Sequence, residues 1–179
     1  GQLDIIFGLA ERYGRGLDIH LHDGGEIGLA ELDDIVARTR AAGLEGRTTI
    51  SHAFALADAD PARLDATAKG LREAKVAILS SIPGGDRCPP IPKLRELGVD
   101  VFFGSDNIRD CWNPSSVIGM VDRAMLASYR FGLRRDEDIA ALRDHVTTIP
   151  AQVAGLGEGG VEVGARAGLM AFGAAHPPA

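Results

Sequence analysis

Short apolar segments alternate with helical segments along most of this chain, and this order constrains the fold more than any other feature. The apolar segments are, in chain order, LDIHLH, RTTISHAFA, VAILSSIPGG and VDVFFGSDN. A helical segment precedes the first of them, helical spacing of apolar residues follows each one, and a long helical tract runs through Met120 to Phe131. Strands that alternate with helices form a parallel sheet through right-handed crossovers. The sequence therefore predicts an α/β fold.

Residues that start and stop helices support this division. Asp60 stands before Pro61 in DPARLDATAKGLREAK, where an aspartate caps the first turn and proline fits the first helical position. Gly43 ends the helix predicted within GLAELDDIVARTRAAGL, and Gly14 and Gly16 end the first helix. These signals separate the predicted helices from the four apolar segments, which are the predicted strands.

Composition argues against several classes of partner. The 179 residues carry a formal net charge of -6, and their longest basic cluster is the pair Arg134 and Arg135, which disfavours a nucleic acid polymer. No apolar run approaches the roughly 18 residues of a membrane span. Cys88 and Cys111 show neither CxxC spacing nor a disulfide-rich setting. We therefore expect a cytoplasmic protein whose partner is a small molecule, with neither nucleic acid nor membrane involved.

Polar side chains stand at the ends of three of the four strands. His20, His22 and Asp23 end the first strand, His52 the second and Asp106 the fourth. Ligands gather at the carboxyl ends of parallel strands, so we expect these side chains to share one edge of the sheet. An unpaired buried polar group costs roughly 1–3 kcal/mol, and a shared metal ion would satisfy several of them. A structural hydrogen bond is the alternative for each one alone.

The motifs at these strand ends resemble the amidohydrolase superfamily, and within it the cytosine-deaminase-like branch. The resemblance rests on DIHLHD, ISHAFAL and FFGSDNIRDCWNP in this order, and on the tail VTTIPAQVAGLGEGGVEVGARAGLMAF, so it covers nearly the whole chain. Members of this superfamily have a TIM-like (β/α)8 barrel with one catalytic divalent metal. The resemblance implies that residues 1–155 form only about strands five to eight of such a barrel. It also implies that residues 156–179 return toward a small β-sandwich.

The resemblance also assigns roles to individual residues. His20 would be the fifth-strand metal ligand, and Asp106 would be the eighth-strand ligand and proton shuttle. His52 would hydrogen-bond the activated water or the substrate. Asp23 would protonate the ring nitrogen, although it is one methylene shorter than the glutamate usual in deaminases. Glu26 is an alternative proton donor if the chain folds back at the two glycines before it, and a solvated acid otherwise.

Two residues beside Asp106 are candidates for contact with the substrate. Arg109 and Trp112 lie in the motif NIRDCWNP and would border the pocket. In the alternative reading, Trp112 packs under this loop and Asp110 pairs with Arg109. The sequence does not choose between the two arrangements.

The pair His20 and His22 has a rival interpretation as the HxH pair of the first barrel strand, since side chains at i and i+2 point the same way. Only 32 residues separate His20 from His52, which is about one βα unit, and a helix precedes His20. We therefore take His20 as the fifth-strand ligand and His22 as its neighbour in the loop. The HxH pair is then outside this chain, and His20 with Asp106 alone would hold a metal weakly.

Taken together, these features predict part of a metal-dependent hydrolase that deaminates a cytosine-like or other cyclic amidine, with zinc or iron, or else manganese, as the metal. The enzymatic alternative is hydrolysis of another ring amide or of an N-alkyl amine. A non-catalytic half-barrel is the third reading. Unpaired strand edges and an apolar face would favour a homo-oligomer or pairing with the N-terminal half of the barrel. His145 and His176 are not expected to be ligands.

Overall fold

The computed structural model divides into two compact units, Gly1–Val101 and Phe102–Ala179. It describes residues 1–85, 87–112, 114–115, 119–157, 159, 161–171 and 173. The chain begins with α1 (Gln2–Tyr13), β1 (Leu17–Leu21), α2 (Gly25–Ala41), β2 (Thr48–His52), α3 (Ala55–Asp58), α4 (Pro61–Glu73), β3 (Ala77–Ser80) and α5 (Ile91–Glu96). It continues with β4 (Val101–Phe103), α6 (Met120–Phe131), α7 (Asp136–Asp144) and α8 (Thr148–Val153).

The four strands form one sheet in the order β1-β2-β3-β4. β1 and β2 are parallel, in a register that places Leu21 opposite His52, and β2 and β3 are parallel as well. The Ile78 N–H of β3 donates to the Asp100 carbonyl just before β4, at 2.9 Å. Neighbouring parallel strands need a crossover, which α2 supplies between β1 and β2, and α3 with α4 between β2 and β3. The predicted α/β fold is therefore confirmed.

The core of the first unit lies between the sheet and its helices. Every residue of β2 is buried, and Ile50 at its centre is fully inaccessible. Leu29, Leu32 and Ile35 line one face of α2 and are at most 1% exposed. Burying an aliphatic side chain of this size contributes about 1.5–3 kcal/mol. The carboxyl end of β2, where His52 stands, is consequently attached to the most rigid part of this unit.

The helix limits largely follow the sequence signals. Oδ1 of Asp60 accepts the backbone N–H groups of Ala62 and Arg63, both at 2.9 Å, and thereby caps α4 as predicted. Gly14 ends α1 with a φ of 62°, a left-handed conformation that glycine adopts without strain. The sequence pattern did not predict α3, which is one turn long and too short for a helical period to be visible.

The chain after α8 shows little regular structure in the residues that are described. Its one bridge there is an isolated parallel pairing of Gly159 with Arg166. The boundary between residues 155 and 156 and the return toward a β-sandwich remain predictions, and His176 lies outside the described residues. None of the described helices combines the length and apolar character needed to span a membrane.

The cap of α4 can be tested directly. Asp60→Ala leaves two backbone N–H groups of the first turn without their acceptor, so we expect the free energy of unfolding to fall by about 1 kcal/mol. Urea denaturation followed by circular dichroism measures this loss. Asp65→Ala, an exposed change in the same helix, is the matched control and should shift the value by less than about 0.5 kcal/mol. Equal effects of the two changes would contradict the capping role.

Candidate active site

β1 and β2 bring three histidines together at their carboxyl ends. His20 lies in β1, His22 follows it, and His52 is the last residue of β2. Because Leu21 is opposite His52, the two β1 histidines flank His52, and their i, i+2 spacing points both side chains to the same face. One nitrogen of each ring lies within 4.8 Å of the other two. The structure therefore places His22 beside the residues predicted to form the site.

Ring contacts orient the three imidazoles. The ring centroids of His22 and His52 are 4.4 Å apart, and those of His20 and His52 are 4.9 Å apart. Phe54 lies near-parallel to His22 at 5.6 Å and contacts the His52 ring at 5.3 Å. His52 is buried, whereas His20 and His22 are exposed in this chain. Phe54 thus packs against two of the three imidazoles, a contact that no sequence pattern indicated.

The backbone at the end of β2 adopts an uncommon conformation. His52 has a φ of 74° and the following Ala53 a φ of 49°. Non-glycine residues in this region cost about 1 kcal/mol or more each, and they persist where the surroundings fix them. Here Ala53 is fully buried, and its N–H donates to the Leu21 carbonyl at 3.1 Å. The direction of the His52 side chain is consequently fixed by packing around its neighbour.

The donor set fits a divalent metal ion. Imidazole nitrogens are common ligands of zinc and iron. His20 Nδ1 and His52 Nε2 are 3.2 Å apart, close to the roughly 3.4 Å that separates two nitrogens bound to one tetrahedral zinc. The same distance fits a hydrogen bond between the two rings, with roles that depend on their tautomers. The cluster can therefore either bind a cation or share a proton.

Asp23 lies between the histidines and α2. Its carbonyl oxygen is close to Gly28, where an added Cβ would stand 2.1 Å from that oxygen. Oδ2 of Asp58 on α3 accepts the Gly25 N–H at 3.0 Å and so holds the turn after Asp23. Glu26, the predicted alternative donor, lies exposed in the first turn of α2, where its charge acts on Arg63. These contacts hold the backbone of Asp23 in place.

A second carboxyl approaches Asp23. Glu31 is half-buried on α2, and its pKa is raised by burial first and then by the charge and the hydrogen bond of Asp23. Sequence reasoning missed Glu31, because nothing in the helical pattern distinguishes it from a solvated acid. Only the contact of the Asp23 backbone with Gly28 of α2 places Asp23 near this acid.

Asp106 lies in the second unit, in the loop after β4. Its side chain is exposed, and its φ of 63° repeats the left-handed conformation seen at His52. Arg123 on α6 is buried and donates from Nη2 to the Ser105 carbonyl at 3.0 Å. This bond anchors the loop one residue before Asp106, a contact that the sequence did not predict. The pairing of Asp106 with His20 at one metal remains a prediction.

Asp110 organises the loop that carries Arg109 and Trp112. Its carboxylate accepts from Asn107 Nδ2 at 2.5 Å and from the Trp112 backbone N–H at 3.0 Å. The Trp112 side chain is 88% exposed, so the alternative in which it packs under this loop is wrong. Arg109 is also exposed and has a φ of 45°. Their predicted contact with substrate is taken up below.

Comparison with known proteins identifies the class to which this site belongs. The model of the amidohydrolase family matches residues 1–176, and the chain belongs to this family. The resemblance inferred from the strand-end motifs is thereby confirmed.

Particular relatives narrow the comparison. The chain is 32% identical over 178 residues to N-isopropylammelide isopropyl amidohydrolase of Pseudomonas sp. (strain ADP). This alignment covers 99% of the chain and 44% of that relative. It superimposes on the crystal structure of N-isopropylammelide isopropylaminohydrolase from Burkholderia multivorans ATCC 17616 with a TM-score of 0.81 and 41% identity, covering 85% of this chain and 39% of the other.

A third comparison concerns the fold alone. The crystal structure of 5-methylcytosine deaminase from Klebsiella pneumoniae liganded with 5-fluorocytosine superimposes with a TM-score of 0.82 at 23% identity, covering 93% of this chain and 44% of that one. The chain thus spans less than half the length of each of these three proteins. The prediction of a partial amidohydrolase barrel is confirmed.

The histidine cluster predicts metal binding by this chain. At equilibrium with excess Zn²⁺ in dialysis, we expect elemental mass spectrometry to find near one metal per chain above the free Zn²⁺. His20→Ala should reduce this content at least several-fold, because it removes a ligand nitrogen, and His52→Ala should reduce it less, because His52 is assigned to the water or the substrate. His176→Ala, which removes a histidine remote in sequence from the cluster, is the control. Metal content that is equal in all four proteins would contradict a site at these strand ends.

Proposed function

We propose that the protein containing this chain is a metal-dependent hydrolase that removes an amine from the carbon of a nitrogen ring. The observation that carries the proposal is the convergence of His20, His22 and His52 at the ends of adjacent parallel strands in an amidohydrolase chain. Since the chain spans less than half of its relatives, the proposal concerns the full-length protein.

We assign His20 and Asp106 as metal ligands contributed by this chain, with zinc or iron as the metal and manganese as a further option. The imidazole nitrogens of the cluster support a ligand at His20, and a carboxylate oxygen suits the same ions. Such a metal acts as a Lewis acid and lowers the pKa of water toward neutrality. The remaining ligands would come from the rest of the full-length protein.

Three side chains would then move or direct protons. His52, buried and fixed by its backbone, hydrogen-bonds the attacking water or the substrate. Asp106 accepts a proton from that water and passes it to the leaving amine. Asp23 donates a proton to the ring nitrogen, which makes the ring carbon more electrophilic and allows the amine to leave. The contact of the Asp23 backbone with Gly28 of α2 supports this role, because a proton donor must be placed within hydrogen-bond distance of its target.

Arg109 and Trp112 are proposed to contact the substrate. Both side chains are exposed on a loop that Asp110 holds in shape. An indole face stacks on planar rings, and a guanidinium donates to ring carbonyl oxygens. Their position a few residues after Asp106 supports this assignment.

The substrate is proposed to be a cytosine-like ring or another cyclic amidine. An N-alkyl amine on such a ring is the second candidate. It is favoured by sequence, because identity reaches 32% and 41% with proteins named for N-isopropylammelide, against 23% with the 5-methylcytosine deaminase. Both candidates share one reaction, the replacement of a ring amine by hydroxyl.

We further propose a cytoplasmic location and association through the barrel edges. Neither cysteine forms a disulfide, which supports a reducing compartment. The partial coverage of relatives supports pairing with the N-terminal half of a barrel, and a homo-oligomer is the other form of association. In the third reading the chain is a non-catalytic half-barrel, which the activity experiment distinguishes from an enzyme.

The test is amine release by the full-length, metal-loaded protein. We expect ammonia from cytosine or 5-methylcytosine, or isopropylamine from N-isopropylammelide, and the products identify which candidate is right. Asp23→Asn should lower kcat by about 10²- to 10⁴-fold, the range for loss of a general acid. Asp33→Asn, which removes an exposed carboxylate paired with Arg63, is the matched control with unchanged kcat. A metal-loaded protein that releases no amine from any of the three would refute the proposal.

A further inference from the structure

The carboxyl group of Glu31 is more buried than that of an ordinary surface acid. Its Oε2 atom is shielded from solvent and, among the residues that the structure describes, accepts no hydrogen bond. Burial raises the pKa of Glu31, and the charge of Asp23 and a hydrogen bond with the Asp23 carboxyl raise it further. A carboxyl in such surroundings retains its proton more readily and can then donate it in a hydrogen bond.

The backbone brings Glu31 and Asp23 together. Asp23 lies against Gly28 so closely that any larger residue there would meet its carbonyl group, and an added Cβ would also stand 2.8 Å from that of Ala55. Glu31 is three residues after Gly28, so it lies on the same side of α2, one turn along. The turn after Asp23 is fixed from the other side by Asp58 through the Gly25 N–H. The backbone of Asp23 is therefore held about one helical turn from Glu31.

Two charged groups on the helices beside α2 have partners of their own. Helices α3 and α4 pack against it. On α3, Asp58 accepts from the backbone of Gly25. On α4, Arg63 pairs with Asp33 at 2.6 Å. Asp23 is the charged side chain that acts on the Glu31 carboxyl.

We propose that Glu31 is a positioning residue that donates a hydrogen bond to the Asp23 carboxylate and holds this side chain beside the histidine cluster. Its contribution to turnover rests on the proposed role of Asp23 as proton donor. The hydrogen bond itself does not depend on that role. Glu31 touches no substrate and acts only through Asp23, so its loss should change kcat more than KM.

The hydrogen bond can be tested without an activity assay. In this chain labelled with ¹³C at glutamate carboxyls, NMR titration should show Glu31 losing its proton at a higher pH than the other glutamates. Glu31→Gln assigns the signal by its disappearance. Asp23→Asn removes a charge and supplies an amide donor, so the titration of Glu31 should move to lower pH. Asp33→Asn, on the same helix, should leave it in place.

Two results would overturn the proposal. One is a Glu31 signal that titrates together with the other glutamates in the unmodified chain. The other is a titration that Asp23→Asn shifts no more than Asp33→Asn does. Both hold whether or not the protein is an enzyme.

Kinetics of the full-length protein test the contribution to turnover. Glu31→Leu removes the donor at similar volume and should lower kcat about tenfold with little change in KM, the effect of misplacing a group that acts in the transition state. Glu31→Gln keeps a donor and should restore kcat to within about twofold. Equal kcat in both variants and the unmodified enzyme would refute the contribution. An inactive unmodified enzyme would refute the proposed function instead, and the titration would still decide on Glu31.

Discussion

The pairing of β1 with β2 is the interaction on which the candidate site depends. With Leu21 opposite His52, the parallel register places histidines from two strands at one edge, and their nitrogens converge within 4.8 Å. A register shifted by one residue would turn the β1 side chains to the opposite face and separate them. Such a shift would be costly, because β1 alternates apolar side chains that are at least half-buried with the exposed Asp18 and His20, and the shift would exchange the two faces.

The same core supports strained backbone where the chemistry is proposed. His52 has left-handed backbone next to a fully buried alanine, and Asp106 repeats this conformation in a loop anchored by the buried Arg123. Strain of this kind persists only when the surroundings over-determine it, and it is concentrated at functional sites. Apolar packing in the first unit and a buried arginine in the second thus stabilise conformations that the local chain would not adopt alone.

Carboxyl groups of α2 and α3 act on the segment around Asp23. Asp58 fixes the turn after Asp23, and Glu31 lies where it can hydrogen-bond the Asp23 side chain. The close contact of the Asp23 carbonyl with Gly28 fixes the backbone of this acid. Membership of the amidohydrolase family gives these carboxyl groups a chemical context, since the proposed reaction requires a placed proton donor.

Much of the fold was predictable because its signals are local. Strand and helix periods gave the parallel sheet, Asp60 and Pro61 gave the start of α4, and Gly14 gave the end of α1. The one-turn helix α3 was not predicted, because a single turn shows no period. The candidate residues at the ends of β1 and β2 were also visible in the sequence, because parallel strands present their carboxyl ends at one edge.

The sequence by itself thus determined the family, the α/β fold and the strand ends that carry the candidate residues. Only the tertiary structure decided how those residues meet. It placed His22 in the cluster through register, put Phe54 against two imidazoles, left Trp112 exposed and brought Glu31 to Asp23. These contacts join residues on different elements. They depend on how helices pack against strands, which no periodicity along the chain encodes.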